Sequence, residues 1–383
     1  MLLFLIYSFY NYLIFGVHRK QNLNAKPECL LLKLLLTNQI LSYTFFHTII
    51  TIIHGQKLIS MSSPLLEIRN LKTYFYVREG IARAVDGIDL TIDRGETLAL
   101  VGESGCGKSV TAYSILRLVP SPPGKIVDGE IFFEGENLLS LPEKKLREIR
   151  GNKISMVFQD PLTSLNPVFR IGSQIAEMLQ VHRNKRKREA LDCAIELLKD
   201  VGIPSPEQRI NDYPHQLSGG MRQRVMIAMA LACEPQLIIA DEPTTALDVT
   251  VQAQILDLLQ QLKKTHDLAL LLITHDLGIV AETAQNVAVM YAGRIMEYTD
   301  VATLFQRPLN PYTQGLLLSL PRPEGKRLTP IKGMVPPILN LPVGCKFSTR
   351  CPHVFDKCTI KEPDLINKGA GAKRHLVRCW LHQ

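Results

Sequence analysis

One stretch, residues 102–109 with the sequence GESGCGKS, most constrains what this chain can fold into. It matches the pattern G-x-x-x-x-G-K-S in full and directly follows an apolar run at residues 96–101. Residues 109–118 have a helical pattern that ends before Pro120 and a Pro-Pro-Gly turn. A strand, a glycine loop and a helix in this order place backbone N–H groups around phosphates at a helix N-terminus. The stretch therefore predicts an α/β protein that binds a nucleotide.

The residues of this loop have separate expected roles. The glycines let the backbone approach phosphates closely. Lys108 is expected to pair with the β- and γ-phosphates, and the Ser109 hydroxyl is expected to bind Mg²⁺. The predicted nucleotide-binding residues of the segment are Gly102, Ser104, Gly105, Gly107, Lys108, Ser109 and Val110.

Four polar residues, Asp241, Glu242, Gln159 and His275, follow short apolar runs that are typical of buried strands. Open parallel sheets bind ligands at the carboxyl ends of their strands, so we expect these side chains to share a site. Asp241 is predicted to bind Mg²⁺, directly or through water, and Glu242 to polarise the attacking water. Gln159 would bind Mg²⁺ and orient water, and His275 would lie near the γ-phosphate. Taken singly, Gln159 could be an ordinary surface amide and His275 a structural histidine.

Two further features concern the nucleotide. Phe75 is a candidate to stack on adenine, although an aromatic residue in a strand can equally belong to the core. The turn Ser218-Gly219-Gly220 opens a helix and offers a second phosphate-binding surface. It has no phosphate partner in its own half of the fold. The turn is therefore predicted to bind the nucleotide of another copy or of a related chain.

Charge distribution argues against a nucleic-acid partner. The net charge of +8 divides into +4 for residues 1–60, −4 for residues 61–320 and +8 for residues 321–383. The nucleotide-binding part is mildly acidic, whereas a protein that follows a nucleic-acid backbone needs a basic surface.

The first sixty residues differ from the rest of the chain. Residues 1–17 and 34–56 carry no charged side chain, which is compatible with a membrane-anchoring leader. Asn, Gln and His interrupt these runs, and residues 1–60 contain one Ala, one Glu and no Asp. Such a bias is expected when AT-rich non-coding DNA is translated. We expect that the native protein starts at Met61, with a genuine leader as the alternative that intact-mass analysis would detect.

Four of the eight cysteines, Cys345, Cys351, Cys358 and Cys379, cluster near the C-terminus with the spacing C-x5-C-x6-C-x20-C. An enzyme that uses ATP works in the cytosol, which is reducing, so disulfides are rare there. These thiols therefore indicate a metal or iron–sulfur site. The C-x-x-C pairs usual for structural zinc are missing, although four thiolates can hold either centre. Four unligated thiols are the remaining alternative.

Residues 65–305 resemble an ABC-type ATPase domain, because seven sequence elements occur in the order of that family. They are the aromatic loop near Phe75, the phosphate loop, Gln159, the Ser218-Gly219-Gly220 signature, Asp241-Glu242, the loop Ala246-Leu247-Asp248 and His275. The resemblance implies that two such domains pair head to tail. Each ATP would lie between the phosphate loop of one domain and the signature of the other, with Asp248 among the nucleotide-binding residues.

The same resemblance implies the fold class. It is an α/β P-loop (RecA-like) ABC ATPase core with an antiparallel β subdomain and a helical signature subdomain at about residues 168–235. A small Cys-rich C-terminal domain would follow. The expected boundaries are 61–307 for the ATPase domain and 308–383 for the C-terminal domain.

Residues 61–383 also resemble the oligopeptide/dipeptide importer branch of this family. The likeness rests on residues 158–167 (FQDPLTSLNP), 213–216 (YPHQ), 310–313 (NPYT), 341–345 (LPVGC) and 350–352 (RCP). It implies that the four cysteines ligate a [4Fe–4S] cluster and that residues 160–167 contact a permease.

The implied function is that of an ATPase subunit at the cytoplasmic face of the cell membrane, powering import of di- and oligopeptides. Its expected partners are a second ABC ATPase subunit (a paralogue or itself), two transmembrane permeases and an extracytoplasmic solute-binding protein, with no nucleic acid. Import of nickel or another small solute is one alternative. A soluble ABC ATPase that acts on nucleic acid or ribosomes is another, but such proteins tend to have two cassettes or a long coiled-coil insertion. An exporter is the third.

Overall fold

The computed structural model describes residues 63–245, 247–320, 330–371 and 374–383. The predicted extension at residues 1–60 and Ala246 of the predicted nucleotide loop lie outside the described residues. No helix in the described ranges is both long and apolar enough to cross a membrane.

The strands within these ranges are β1 (Leu66–Val77), β2 (Gly80–Ile92), β3 (Thr97–Val101), β4 (Gly124–Phe133), β5 (Glu136–Asn137), β6 (Ile154–Val157), β7 (Leu237–Asp241), β8 (Ala269–Thr274), β9 (Asn286–Tyr291), β10 (Arg294–Asp300), β11 (Ile366–Asn367) and β12 (Leu376–Val377). The helices are α1 (Lys108–Ile115), α2 (Glu143–Ile149), α3 (Pro161–Ser164), α4 (Ile171–Arg183), α5 (Lys187–Asp200), α6 (Pro206–Arg209), α7 (Gly219–Leu231), α8 (Val249–His266), α9 (Leu277–Thr283), α10 (Val301–Gln306), α11 (Pro311–Leu318) and α12 (Asp356–Ile360). Short 3₁₀ turns occur at Pro214–Gln216 and Trp380–His382.

The central sheet has the strand order β11-β12-β10-β9-β3-β8-β7-β6. Strands β9, β3, β8, β7 and β6 run parallel, whereas β10, β11 and β12 join by antiparallel pairing. Every residue of β3, β7 and β8 is buried, as expected for parallel strands covered on both faces. The carboxyl ends of β3, β6, β7 and β8 therefore meet at one edge of the sheet.

A second, antiparallel sheet has the order β2-β1-β4-β5. Leu66 lies opposite Ile92 on one side and Phe133 on the other. Apolar residues of this sheet share one core with the central strands, including Leu98 and Leu271. This is the antiparallel β subdomain that the sequence predicts.

Helices α4 to α7 lie between β6 and β7 in the chain and enclose a core of their own. Ile175 of α4, Ala194 of α5 and Val225 of α7 are fully buried there, and the same core extends to Ile255 of α8. These helices begin at Ile171 and end at Leu231, and the subdomain bounds of 168–235 stay a prediction.

The C-terminal region continues the central sheet, because β12 pairs with β10. The buried carboxylate of Glu297 in β10 accepts hydrogen bonds from the Leu309 and Asn310 N–H groups and bonds His375 Nε2 at 2.7 Å. One strand residue thus holds two separate segments of the C-terminal region. The domain boundary expected at residues 307/308 stays a prediction.

Candidate nucleotide and Mg²⁺ site

The phosphate loop connects β3 to α1. At two of its positions the backbone has a conformation that only glycine can adopt. Gly102 has φ 152° and Gly107 has φ 110°, both in the region that side chains disfavour. A Cβ atom would lie 2.1 Å from the Met290 carbonyl oxygen at Gly102 and 2.2 Å from the Ala84 carbonyl oxygen at Gly107. Apart from its chain neighbours, no described residue has an atom within 4 Å of a Cβ built at Gly105, so the loop is open on that side.

Lys108 is the first residue of α1 and is buried inside the loop. Its Nζ donates to the carbonyl oxygens of Gly102 at 2.8 Å and Glu103 at 3.2 Å. The ammonium group is thereby fixed at the helix N-terminus, where positive charge and backbone N–H groups together favour an anion.

Ser109, the second residue of α1, meets Asp241 at the carboxyl end of β7. The Ser109 hydroxyl donates to Asp241 Oδ1 at 3.1 Å. Asp241 Oδ2 is buried and has no hydrogen-bond partner among the described residues. Burial raises the pKa of Asp241, an effect that the Ser109 hydrogen bond opposes and the neighbouring Glu242 charge reinforces. A hydroxyl oxygen beside a buried carboxylate with an unsatisfied oxygen fits the ligand preference of Mg²⁺.

Three other side chains converge on the carboxylate of Glu242. Gln159 Nε2 donates to Glu242 Oε2 at 3.1 Å, and Thr245 Oγ1 donates to the same oxygen at 2.9 Å. His275 Nδ1 lies 3.5 Å from Glu242 Oε1. Gln159 and His275 are exposed, whereas the Glu242 side chain is only 15% exposed. The strand ends thus bring together the three residues predicted to be catalytic.

The backbone of Glu242 is left-handed, with φ 47°. Its N–H still bonds the Ile273 carbonyl oxygen of β8 at 2.9 Å, so the sheet holds it in place. Non-glycine residues in this conformation are uncommon and cluster at functional sites, where the surrounding structure offsets the strain.

The aromatic loop lies at the end of β1. Phe75 is half-buried, and its ring atom Cε1 would be 2.9 Å from a Cβ at Gly124, so the ring lies directly over that glycine. The neighbouring Tyr74 hydroxyl donates to Asp86 at 2.5 Å, and burial together with this bond raises the pKa of Tyr74 to about 12. Stacking of Phe75 on adenine stays a prediction.

The signature forms the start of α7. The Ser218 hydroxyl caps the helix by accepting from the Met221 N–H at 3.3 Å. A Cβ at Gly220 would be 2.6 Å from Val251 Cγ1 of α8, whose N–H is capped by Asp248. The predicted Ser218–Gly220 surface and Asp248 thus belong to two adjoining helix N-termini. The role of this surface toward a second nucleotide site stays a prediction.

The four clustered cysteines line one small cavity. Burial raises the pKa of Cys345 to about 11, and the three other thiols add to that shift. Burial also raises the pKa of Cys351 and Cys379. In the part of the chain that the structure describes, no three Cys, His, Asp or Glu side chains stand close enough to hold a metal ion.

Sequence reasoning missed several residues at this site. Thr245 is one, although it lies only three residues after Glu242. Glu103 is another: its carboxylate bonds Arg350 of the C-terminal region. Neither residue occupies a specified position of a motif, so their contacts had no signal in the sequence.

The fold and the site together define a P-loop ATPase of the ABC type. Residues 85–245 match the family model "ABC transporter", and residues 296–358 match "Oligopeptide/dipeptide transporter, C-terminal region". The chain is 54% identical over 323 residues to the oligopeptide transport ATP-binding protein AppD of Bacillus subtilis, covering 84% of this chain and 98% of AppD. It therefore belongs to the ATP-binding subunits of the oligopeptide/dipeptide ABC importers.

A second relative and a solved structure agree with this assignment. The dipeptide transport ATP-binding protein DppD of Bacillus subtilis is 48% identical over 319 residues, covering 83% of this chain and 94% of DppD. Among solved structures, a dimeric post-hydrolysis state of the ATP-binding cassette MJ0796, bound to ADP and Pi, is similar with a TM-score of 0.56 and 28% identity. That match covers 62% of this chain and 98% of MJ0796.

Proposed function

We propose that this chain hydrolyses ATP at its phosphate-loop site and thereby powers uptake of di- and oligopeptides through a pair of membrane permeases. Lys108 would bind the β- and γ-phosphates, and Ser109, Gln159 and Asp241 would hold Mg²⁺. The bound ion would neutralise phosphate charge. Glu242 would accept the proton of the attacking water.

One observation carries the catalytic part of the proposal: the convergence of Gln159, Thr245 and His275 on the Glu242 carboxylate. Hydrogen bonds on one oxygen fix the orientation of the carboxylate, as a positioned general base requires. His275 faces the other oxygen and is exposed, so it is free to contact a γ-phosphate. This carboxylate adjoins Asp241, so a base and a metal ligand lie side by side.

The signature supports a two-cassette arrangement. Ser218 is exposed and Gly219 and Gly220 are partly exposed at the start of α7, so the helix N-terminus is open to an approaching phosphate. The similarity to dimeric MJ0796 supports such pairing. The partner would be a second copy or a paralogue.

The permease contact is proposed at a groove of about 320 Å³ between β6 and helices of the helical part. Its lining includes Met156, Phe158, Leu165, Met178, Met226 and Met229. Methionine-rich grooves suit amphipathic helices because the thioether side chains adapt their shape. Nearby along the chain, Val168 and Phe169 are 70% and 55% exposed. We infer that a cytoplasmic helix of the permease docks here, which would hold this chain at the cytoplasmic face of the membrane.

A [4Fe–4S] cluster is proposed for the four thiols, as part of a small Cys-rich C-terminal domain. The four thiols line one cavity, and four cysteine thiolates are the ligand set of a [4Fe–4S] cluster. Their spacing lacks the C-x-x-C pairs usual for structural zinc, which favours a cluster over a single zinc ion.

Metal analysis tests this assignment. The full chain, purified without oxygen, is expected to contain about four iron and four sulfide per chain. Cys358→Ser should lose most of both, while Cys193→Ser, which alters a thiol outside the cavity, should keep them. One zinc per chain without iron would contradict the assignment.

Peptide uptake tests the function. In cells that lack this gene, the intact chain should restore uptake of labelled dipeptide and tetrapeptide, and Glu242→Gln should not. Restored nickel uptake without peptide uptake would instead favour the small-solute alternative. Recovery of the chain with ribosomes or DNA-repair proteins, and without permeases, would defeat the importer proposal.

A further inference from the structure

Glu103 connects the phosphate loop to the C-terminal region. It follows Gly102, at a position where the loop motif accepts any residue. Its N–H donates to the Tyr312 hydroxyl at 3.0 Å, and its carbonyl oxygen accepts from Lys108 Nζ. Its carboxylate accepts two bonds from Arg350, at 2.6 Å and 3.0 Å. The same residue thus contacts the loop lysine and two residues more than 200 positions away.

Arg350 is firmly held where it makes these bonds. Its side chain is 3% exposed, its Nη1 lies 3.4 Å from the Tyr291 hydroxyl, and its Nε donates to the Lys332 carbonyl oxygen at 3.2 Å. The guanidinium also lies over the rings of Tyr291 and Phe347, at 5.8 Å and 5.9 Å from their centroids. Bidentate bonding to Glu103 raises the pKa of Arg350, so its charge is permanent.

The two rings beneath Arg350 form a rigid cluster with a third ring, that of Tyr312. Tyr291, Tyr312 and Phe347 contact one another with centroids 4.7 to 5.4 Å apart, and each is at most 2% exposed. Such buried aromatic clusters leave their members little freedom. Arg350 and Tyr312 therefore present fixed partners to Glu103.

Two physical effects follow for the loop. First, fixing Glu103 fixes the carbonyl group that orients Lys108, so less order has to be gained when nucleotide binds. Second, Arg350 neutralises a carboxylate within a loop that must receive a triphosphate. Without the guanidinium, the partly exposed Glu103 charge would repel the nucleotide.

We propose that Arg350 is a positioning residue of the nucleotide site, so that the C-terminal region completes the ATP-binding loop of the cassette. This inference rests on the proposed role of the loop and of Lys108 in binding ATP. It extends that role to a region that contains none of the cassette motifs.

The test is a double-mutant cycle on the full chain, with the Kd for ATP and Mg²⁺ as the readout. Arg350→Gln should weaken binding about three- to tenfold, with Arg350→Lys intermediate because it keeps the charge but loses the bidentate geometry. Adding Glu103→Gln to Arg350→Gln should restore the part of the affinity that the unpaired carboxylate removes, whereas the part that depends on a fixed Glu103 stays lost. A purely structural role for Arg350 predicts no such rescue.

Two results would overturn the inference: an unchanged Kd in Arg350→Gln, or losses in the double variant that equal the sum of the single losses. Lys346→Gln is the matched control. Lys346 is buried and contacts Glu362 at 3.5 Å and the Pro342 carbonyl oxygen at 2.8 Å rather than a loop residue, so its variant should bind ATP normally. Unfolding midpoints identify any variant that fails to fold. If Arg350→Gln is one, Arg350→Lys and Glu103→Gln carry the cycle.

Lys108→Ala separates this inference from the proposed function. Lost binding in Lys108→Ala with normal binding in Arg350→Gln would reject only the role of Arg350. Normal binding in Lys108→Ala would reject the assigned nucleotide site itself.

Discussion

Two fully buried carboxylates in the central sheet, Asp241 and Glu297, have opposite environments. Both oxygens of Glu297 are bonded, to the Leu309 and Asn310 N–H groups and to His375. Asp241 has one bond, from Ser109, and its second oxygen has no partner in the described part of the chain. Burying a carboxylate is costly unless it is fully bonded. Glu297 therefore holds the structure together, whereas Asp241 keeps an oxygen that the proposed Mg²⁺ would bind.

This difference explains where the protein can tolerate change. Removing a buried polar group whose hydrogen bonds are all made lowers the stability of the fold. An unsatisfied one is a local cost that the bound state removes, which is typical of functional sites. Substituting Glu297 should therefore lower stability, whereas substituting a residue of the Asp241 site should affect mainly catalysis.

The largest expected effect is that of Glu242→Gln on ATP hydrolysis. The amide keeps the shape and the nearby hydrogen-bonding groups but cannot accept a proton, so turnover should fall about 10²- to 10⁴-fold. ATP affinity should stay close to that of the unaltered chain. Steady-state phosphate release and equilibrium nucleotide binding measure the two quantities. Near-normal turnover would remove Glu242 from the role of general base.

Glu297→Ala and Asp241→Asn should change stability in opposite directions. Removing the Glu297 carboxylate leaves two N–H groups and His375 without partners, so the free energy of unfolding should fall by about 3–5 kcal/mol. In Mg²⁺-free buffer, Asp241→Asn should raise it by roughly 0.5–2 kcal/mol, because the buried charge disappears. Chemical denaturation of both variants measures this. Equal destabilisation by both would show that Asp241 is as structural as Glu297.

A smaller, pH-dependent effect sharpens the same contrast. Burial raises the folded-state pKa of Asp241 above its ordinary value of 3.8, so the folded state binds the proton more tightly than the unfolded state. The contribution of this group to stability is therefore lost as pH rises from the unfolded to the folded pKa. The advantage of Asp241→Asn over the unaltered chain should be near zero below about pH 4 and reach a plateau at higher pH. Denaturation in chelator across that range tests this, and an advantage independent of pH would refute it.

The cassette site could largely be predicted from the sequence. Parallel strands end at one edge of a sheet, so Asp241, Glu242, Gln159 and His275 could be assigned to one place from the apolar runs before them. The bonds around Glu242 confirm that Gln159, Glu242 and His275 meet there. The sequence reveals this site because each motif consists of neighbouring residues and its chemistry allows only a few residue types at each position.

Other contacts could not be predicted, for physical reasons. β1 extends to Val77 because it pairs with β2 through a tight hairpin, and its last residues, Tyr76 and Val77, are exposed. The two-residue strands β11 and β12 are too short to show the alternation of apolar and polar residues by which a strand is recognised in a sequence. The bond between Glu103 and Arg350 joins residues 247 positions apart, and only the three-dimensional fold brings them together.

That separation has a consequence for biosynthesis. The ribosome makes Glu103 long before Arg350, and at about 5–20 residues per second the interval of 247 residues lasts roughly ten to fifty seconds. During this time the nascent cassette has its complete phosphate-loop motif but lacks the guanidinium that neutralises Glu103. A chain truncated before Arg350 would share that defect permanently. Tight ATP binding would thus coincide with the end of translation, when the whole subunit is available for assembly.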